Sequence, residues 1–171
     1  NSLGAMPRGV YGELKDFADA WASQGVRAWE DWVPMVKSTA ELIAKIVNAP
    51  KDTMIMHKTL SVLQHVLISC FEFSGKRNKV VYSDLEFPTV HYNWKAREAD
   101  GARVVIVKSP DGVHLPTELM LKEIDEETLV VPVSYVLFRS AFIQDAKAII
   151  RRAHEVGAVV ILDAYQAVGT I

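Results

Sequence analysis

The sequence predicts an α/β fold, a mostly parallel sheet flanked by helices and preceded by N-terminal helices, and three observations carry that expectation. From Thr53 onward, short apolar runs alternate with helical stretches, the rhythm of right-handed βαβ units. Before that point, two stretches repeat apolar residues at the three-and-four spacing of an amphipathic helix. The run Ala158-Val159-Val160-Ile161-Leu162, with three β-branched residues, leads straight into Asp163. Such a run reads as a buried central strand delivering a carboxylate at its C-terminal end, where the ligands of open α/β sheets sit. An acid there either meets a cation, for which a pyridinium nitrogen is a good candidate, or caps the turn after the strand.

Composition sets the bounds. A chain of 171 residues, 50% hydrophobic, with a mean hydropathy of +0.11, fits one soluble globular unit with a sizeable core. A net charge of -2 and a pI near 6.2, with lysines and arginines scattered, offer no basic face for nucleic acid. The expected partners are small molecules or another protein. The one cysteine, Cys70, sits in an apolar run and reads as a small core residue, so no intrachain disulfide forms and a reducing, cytoplasmic setting is the simpler expectation. No apolar segment approaches the roughly 20 residues that span a bilayer. The chain opens at Asn1 without a methionine, so a native leader could precede it.

Residues 1–50 form the helical segment. After a turn-rich opening, Val10, Leu14, Phe17 and Trp21 mark one helix, which Gly25 ends. A connector holding Trp29 and Trp32 leads to Pro34, a natural first-turn residue, and Val36, Ala40, Ile43 and Val47 mark the second helix, closed by Asn48-Ala49-Pro50. The tryptophans either fill the gap between the helices or stack on a ligand.

Residues 51–171 form the sheet domain. Met54-Ile55-Met56 reads as a short strand, and Thr59-Leu60-Ser61 opens a strongly apolar helix running from Leu60 to Phe73. Its first turn offers free N–H groups and hydroxyls, so it either holds an anion such as a phosphate or is simply capped by Thr59 or Ser61. Ser74 to Asn78 is a polar turn and not a nucleotide phosphate loop, because Cys70 stands where that loop needs glycine. Strands follow at Lys79 to Tyr82, Arg103 to Val107 and Thr128 to Val133. Between them lie Phe87-Pro88-Thr89 and a helical stretch through Trp94 and Ala99, a turn at Asp111-Gly112, and a helix from Glu118 to Glu123. A last helix presents Ile143, Ala146, Ile150 and Ala153 before Gly157 and the final strand.

Several chemistries drop out. His57, His65, His91, His114 and His154 lack metal-ligand spacing, and neither a Gly-x-Ser-x-Gly elbow nor the three-glycine dinucleotide fingerprint occurs. What remains is the helix start near Ser61, Phe87 after a strand, Ser134 at the end of another, and the pair Asp163 and Gln166.

Four stretches carry a resemblance: Asn1-Ser2-Leu3-Gly4, Asp19-Ala20-Trp21-Ala22, Phe87-Pro88-Thr89, and Asp163-Ala164-Tyr165-Gln166-Ala167-Val168-Gly169. In this order the chain resembles the class V branch of fold type I pyridoxal-phosphate enzymes, most closely the kynureninases, over nearly its whole length. The resemblance implies the large domain of that fold at 51–171, incomplete on its C-terminal side, with pyridoxal 5'-phosphate (PLP) as cofactor. Leu60 and Ser61 would then contact the phosphate, Phe87 would lie on the ring face with Thr89 among the cofactor contacts, and Ser134 would add a further contact. Asp163 would pair with the ring nitrogen and Gln166 with the ring hydroxyl. A carboxylate about 4 Å from that nitrogen, at an effective dielectric near 20, is worth roughly 4 kcal/mol, or about three pKa units.

Two departures stand against the kynureninase pattern. Gln166 replaces its histidine and is similar to the glutamine of cysteine desulfurases, and Val90 replaces the aspartate that follows Phe-Pro-Ser/Thr. The Schiff-base lysine of the family is expected beyond Ile171, so the 171 residues read as the front part of a longer enzyme with open sheet edges. The implied activity is kynureninase-like hydrolysis of kynurenine to anthranilate and alanine, with tryptophan catabolism as its setting. An aminotransferase or cysteine desulfurase-type activity is the alternative, and a non-catalytic dimerisation module the competing class. Resemblance also implies a homodimer.

Overall fold

The computed structural model describes residues 4–171 and divides into two compact units, Asn1–His57 and Lys58–Ile171. Three residues of the Asn-Ser-Leu-Gly stretch, Asn1 to Leu3, lie outside the described residues.

In the first unit, the stripe of Val10, Leu14, Phe17 and Trp21 lies on helix α1, Val10–Gln24, and Gly25 ends it at a φ of 58°. That left-handed backbone is cheap only for glycine. A 3-10 turn, Gly25–Ala28, feeds directly into α2, Trp29–Ile46, which corrects the expected connector: Trp29 and Trp32 belong to the helix, and Pro34 is inside it. The turn is too short to interrupt helical winding. Proline this near the start removes only the bond to the Glu30 carbonyl, at an exposed position. Phe17 stacks on Trp32 with ring centroids 4.5 Å apart, filling the gap between the helices, whereas Trp21 and Trp29 stay largely exposed. Met54-Ile55-Met56, expected as a strand, pairs with no other strand among the described residues. It instead lines a cleft with Trp32, Val33 and Val36 of α2.

The second unit runs α3 (Leu60–Ile68), β1 (Lys79–Ser83), α4 (Pro88–Lys95), β2 (Arg103–Val107), α5 (Thr117–Glu123), β3 (Thr128–Ser134), α6 (Ala146–Glu155) and β4 (Val159–Asp163). All its strand pairs are parallel, in the order β2-β1-β3-β4. Alternating side chains divide the core between the two faces of the sheet. Val81, Val131 and Val133 pack with Met120 of α5 and Ile149 and Ala153 of α6. Val80, Tyr82 and Val130 pack with Ile68 of α3 and Val90 and Trp94 of α4. Because the chain leaves β1 toward β2 and leaves β3 toward β4, the strand order reverses between β1 and β3. Their C-terminal ends therefore flank the crevice at which open α/β sheets take ligands.

Three expectations need correction here. The final strand is not central: β4 is an edge of the described sheet, and Val159 and Leu162 are 48% and 41% exposed. Helix α3 stops at Ile68 rather than Phe73, because the chain tightens there into Cys70 N–H to Leu67 O and Phe71 N–H to Ile68 O turns. Phe71 and Phe73 turn inward against Trp94, which leaves Cys70 exposed rather than in the core. Ile143 lies outside α6, in an isolated bridge to Val136, and Ile149 joins Ala146 and Ala153 as the buried stripe.

Candidate functional site

The site grows from the first turn of α3. Thr59 caps the helix, its Oγ1 accepting the Val62 N–H at 3.2 Å, while Leu63 N–H reaches the Thr59 carbonyl. The N–H groups of Leu60 and Ser61 precede the first intrahelical bond and are the ones such a turn leaves open to an anion. The Ser61 hydroxyl donates to Thr89 Oγ1 at 3.1 Å, and Asn93 Nδ2 donates to the Ser61 carbonyl at 3.3 Å. Thr89 is itself in the first turn of α4, which Pro88 opens. Two helix starts thus meet at one pair of hydroxyls, next to the exit of β1.

One turn into α3, about 5.4 Å along its axis, Gln64 reaches the end of β4. Its Nε2 donates to Asp163 Oδ2 at 3.4 Å, and its own Oε1 is buried with no partner. The other carboxylate oxygen, Oδ1, accepts the Tyr165 N–H at 2.9 Å. Asp163 therefore caps its turn with one oxygen and presents the other to α3. Burial pushes its carboxyl above the usual aspartate range, and the Tyr165 bond opposes that push. Gln166 lies half-buried in the turn that follows.

Glu86, three residues beyond β1, is the most enclosed acid of the unit, only 3% exposed. Its carboxylate accepts the Ser134 N–H at 3.1 and 3.2 Å and the Ser134 hydroxyl, with Gln144 Nε2 at 3.5 Å. Gln144 Nε2 also donates to the Ser134 carbonyl at 2.6 Å. Burial, which outweighs the opposing Ser134 and Gln144 bonds and is helped by the nearby Asp163 charge, pushes the Glu86 carboxyl up to about 7. Phe87, the next residue, keeps its ring partly exposed and edge-on to Phe138, with centroids 5.0 Å apart.

Of the residues singled out from sequence, Ser61 touches Thr89, Ser134 pairs in register with Asp163, and Phe87 follows the acid that binds Ser134. Glu86, Gln64 and Gln144 escaped that reading. Gln64 did leave a signal: it lies four residues from both Leu60 and Ile68, a polar side chain on the apolar stripe of its helix. Val90, set against the aspartate of the kynureninase pattern, is a core residue at 2% exposure, packed with Ile68 and Trp94. Among the described residues, no group of three His, Cys, Asp or Glu could hold a metal, and no helix is long and apolar enough to cross a membrane.

The family model for aminotransferase class-V matches residues 5–171. The chain belongs to that family. Among curated relatives, it is 29% identical over 170 residues to an uncharacterized aminotransferase, YcbU, of Bacillus subtilis (strain 168), covering 99% of this chain and 45% of the relative. It is 27% identical over 182 residues to the kynureninase of Bacillus anthracis, covering 100% of this chain and 42% of that enzyme. Among solved structures, the cystine C-S lyase C-DES, in a mutant with glycine covalently linked to its PLP cofactor, superposes with a TM-score of 0.83 at 12% identity. That match covers 97% of this chain and 46% of the lyase, which places the fold among the fold type I PLP enzymes. The chain spans less than half the length of these class V relatives.

Proposed function

We propose that this chain is the cofactor-holding part of a PLP-dependent class V enzyme acting on an amino acid, with residues 1–50 as its N-terminal helical segment and 51–171 as its PLP-binding large domain. The observation that carries the reading is the span of α3, which offers two open N–H groups at its start and reaches the β4 carboxylate one turn later. The residues present suit the cofactor chemically: open donors for a phosphate, a carboxylate for a ring nitrogen, and a buried amide oxygen without a partner. When bound, the group supplies an electron sink for the substrate's α-carbon.

The chain's own residues supply the rest. Leu60 and Ser61 grip the phosphate through backbone N–H groups and the Ser61 hydroxyl, whose one proton turns from Thr89 to the phosphate while the Thr89 hydroxyl donates back to Ser61 Oγ. Phe87 covers a ring face, Gln166 contacts the ring hydroxyl, and Ser134, whose hydroxyl proton goes to Glu86, offers its hydroxyl oxygen as an acceptor beside Asp163. The Asp163 carboxylate keeps a proton on the ring nitrogen, which is the charge state an electron sink needs.

The reaction is kynureninase-like hydrolysis of kynurenine, within tryptophan catabolism, by a cytoplasmic homodimer. The 27% identity to the Bacillus anthracis kynureninase, over the whole of this chain and 42% of that enzyme, supports it. One observation favours a second reading, a C-S lyase or desulfurase-type activity or an aminotransferase: Val90 fills core space where the kynureninase pattern has a substrate-side aspartate. The test is to load the full-length protein with PLP, look for absorbance at the visible edge that borohydride bleaches, and assay anthranilate release from kynurenine against sulfide release from cysteine. Bleachable absorbance with anthranilate supports the first reading, sulfide the second. No cofactor absorbance overturns both in favour of a non-catalytic dimerisation module.

A further inference from the structure

We infer that Gln64 is a positioning residue of the cofactor site, holding Asp163 Oδ2 in place from α3 so that the acid and the phosphate-gripping turn form one rigid unit. The inference rests on the cofactor reading above and adds to it a residue that no part of the Asp-x-Ala or Phe-Pro-Thr stretches contains.

Three observations converge on it. Gln64 is 6% exposed and its Nε2 lies 3.4 Å from Asp163 Oδ2, a contact between residues 99 positions apart. Its Oε1 is buried without a partner, and a buried amide oxygen left unpaired is destabilising. Its neighbours on the helix stripe, Leu60 and Ile68, are apolar, so a leucine or methionine at 64 would fill the same space without an orphaned atom. A purely structural position would be filled that way. Local rules broken at such a cost are the mark of a site.

The chemistry explains what is gained. Asp163 is pushed toward its neutral form by burial, and Glu86 faces it with a second acidic group, held by Ser134 and Gln144. Two donors work the other way: the Tyr165 N–H on Oδ1 and the Gln64 amide on Oδ2. Both are uncharged, so neither titrates as the pH changes. Removing the amide takes away the contact that fixes Oδ2 from the α3 side, and a carboxylate free to shift from its place holds a proton on the ring nitrogen less firmly.

The test uses the full-length protein loaded with PLP carrying nitrogen-15 in its ring, whose NMR shift reports whether that nitrogen is protonated. It is titrated from pH 6 to 9 in the parent and in Gln64→Met and Gln64→Leu, with circular dichroism melts of each. The expected result is a protonated ring nitrogen in the parent and, in both folded variants, deprotonation about one pH unit lower, a tenfold loss of proton affinity. Melting temperatures at or above the parent's accompany it, because the orphaned oxygen is gone. A protonated parent with unshifted variants overturns the role of Gln64 and leaves the cofactor reading standing. Failure of both variants to fold also overturns it, since the residue is then structural. A parent that binds no PLP, or binds it with a neutral ring nitrogen, overturns the cofactor reading and this inference with it.

Discussion

Ser134 and Asp163 stand opposite one another on neighbouring parallel strands, and the Tyr135 N–H locks the pair by donating to the Asp163 carbonyl at 2.8 Å. The register makes the two strand ends a single platform. Glu86 grips that platform from the β1 side through Ser134, and Gln64 grips it from α3 through Asp163. Four segments far apart in sequence thus converge within a few side chains.

Asp163→Asn tests the acid directly. The amide oxygen can still accept the Tyr165 N–H, so the turn survives, and loss of a charge that burial disfavours leaves the melting temperature unchanged or higher. The ring nitrogen loses its counter-ion, worth roughly 4 kcal/mol, so turnover falls by about a thousandfold. Turnover of the amino acid identified by the anthranilate and sulfide assays, set beside a thermal melt, separates the two effects.

Glu86 gives the fold a pH dependence of predictable sign. Its carboxyl titrates near 7 in the folded chain against 4.5 for an ordinary glutamate. Between those values the folded state keeps a proton that the unfolded state has lost. Its contribution is therefore fully present below about 4.5 and is lost as pH rises through 7. The loss amounts to roughly 3 kcal/mol by the usual conversion of pKa shift to free energy. Urea melts at pH 5 and pH 8 are expected to differ by about that much more in the parent than in Glu86→Gln, whose amide can still accept the Ser134 N–H.

What the sequence disclosed and what it hid follow from the range of the interactions. The strand Arg103 to Val107 was legible to the residue, because a β-branched run between polar turns leaves little choice. Pro34 misled because proline suits a helix start, and only the tight turn at Gly25–Ala28 shows that the helix had already begun. Cys70 misled because an apolar run does not reveal where its helix stops. Ser61, Ser134 and Asp163 were singled out from a helix start and two strand ends, yet Glu86 and Gln64 were not, since each takes its meaning from a partner 48 or 99 residues away. No periodicity or spacing encodes such a contact.

Ser61→Ala probes the other end of the site. The hydroxyl lies at a partly buried junction with Thr89, and its loss leaves Thr89 Oγ1 without that donor, a cost of about 1 kcal/mol in the empty protein. A phosphate loses a charge-assisted hydrogen bond, and PLP affinity falls roughly tenfold. Fluorescence titration with PLP reads the affinity, and an unchanged constant removes the Ser61 hydroxyl from the phosphate site.

Val90→Asp asks whether the kynureninase pattern can be restored by one substitution. Val90 is enclosed by Ile68, Tyr82 and Trp94, and none of these three side chains is a cation that could pair with a new carboxylate. Burying an unpaired charge there costs about 4 kcal/mol, which lowers the melting temperature of a chain this size by roughly 10 °C. The variant is expected to lose stability and gain no kynurenine hydrolysis, because the backbone at 90 directs its side chain into the core between α3 and α4. A melt alongside an anthranilate assay decides the matter. Full stability with new anthranilate release would mean that α4 turns position 90 toward the substrate, and the case for a reaction other than kynurenine hydrolysis would lose its support.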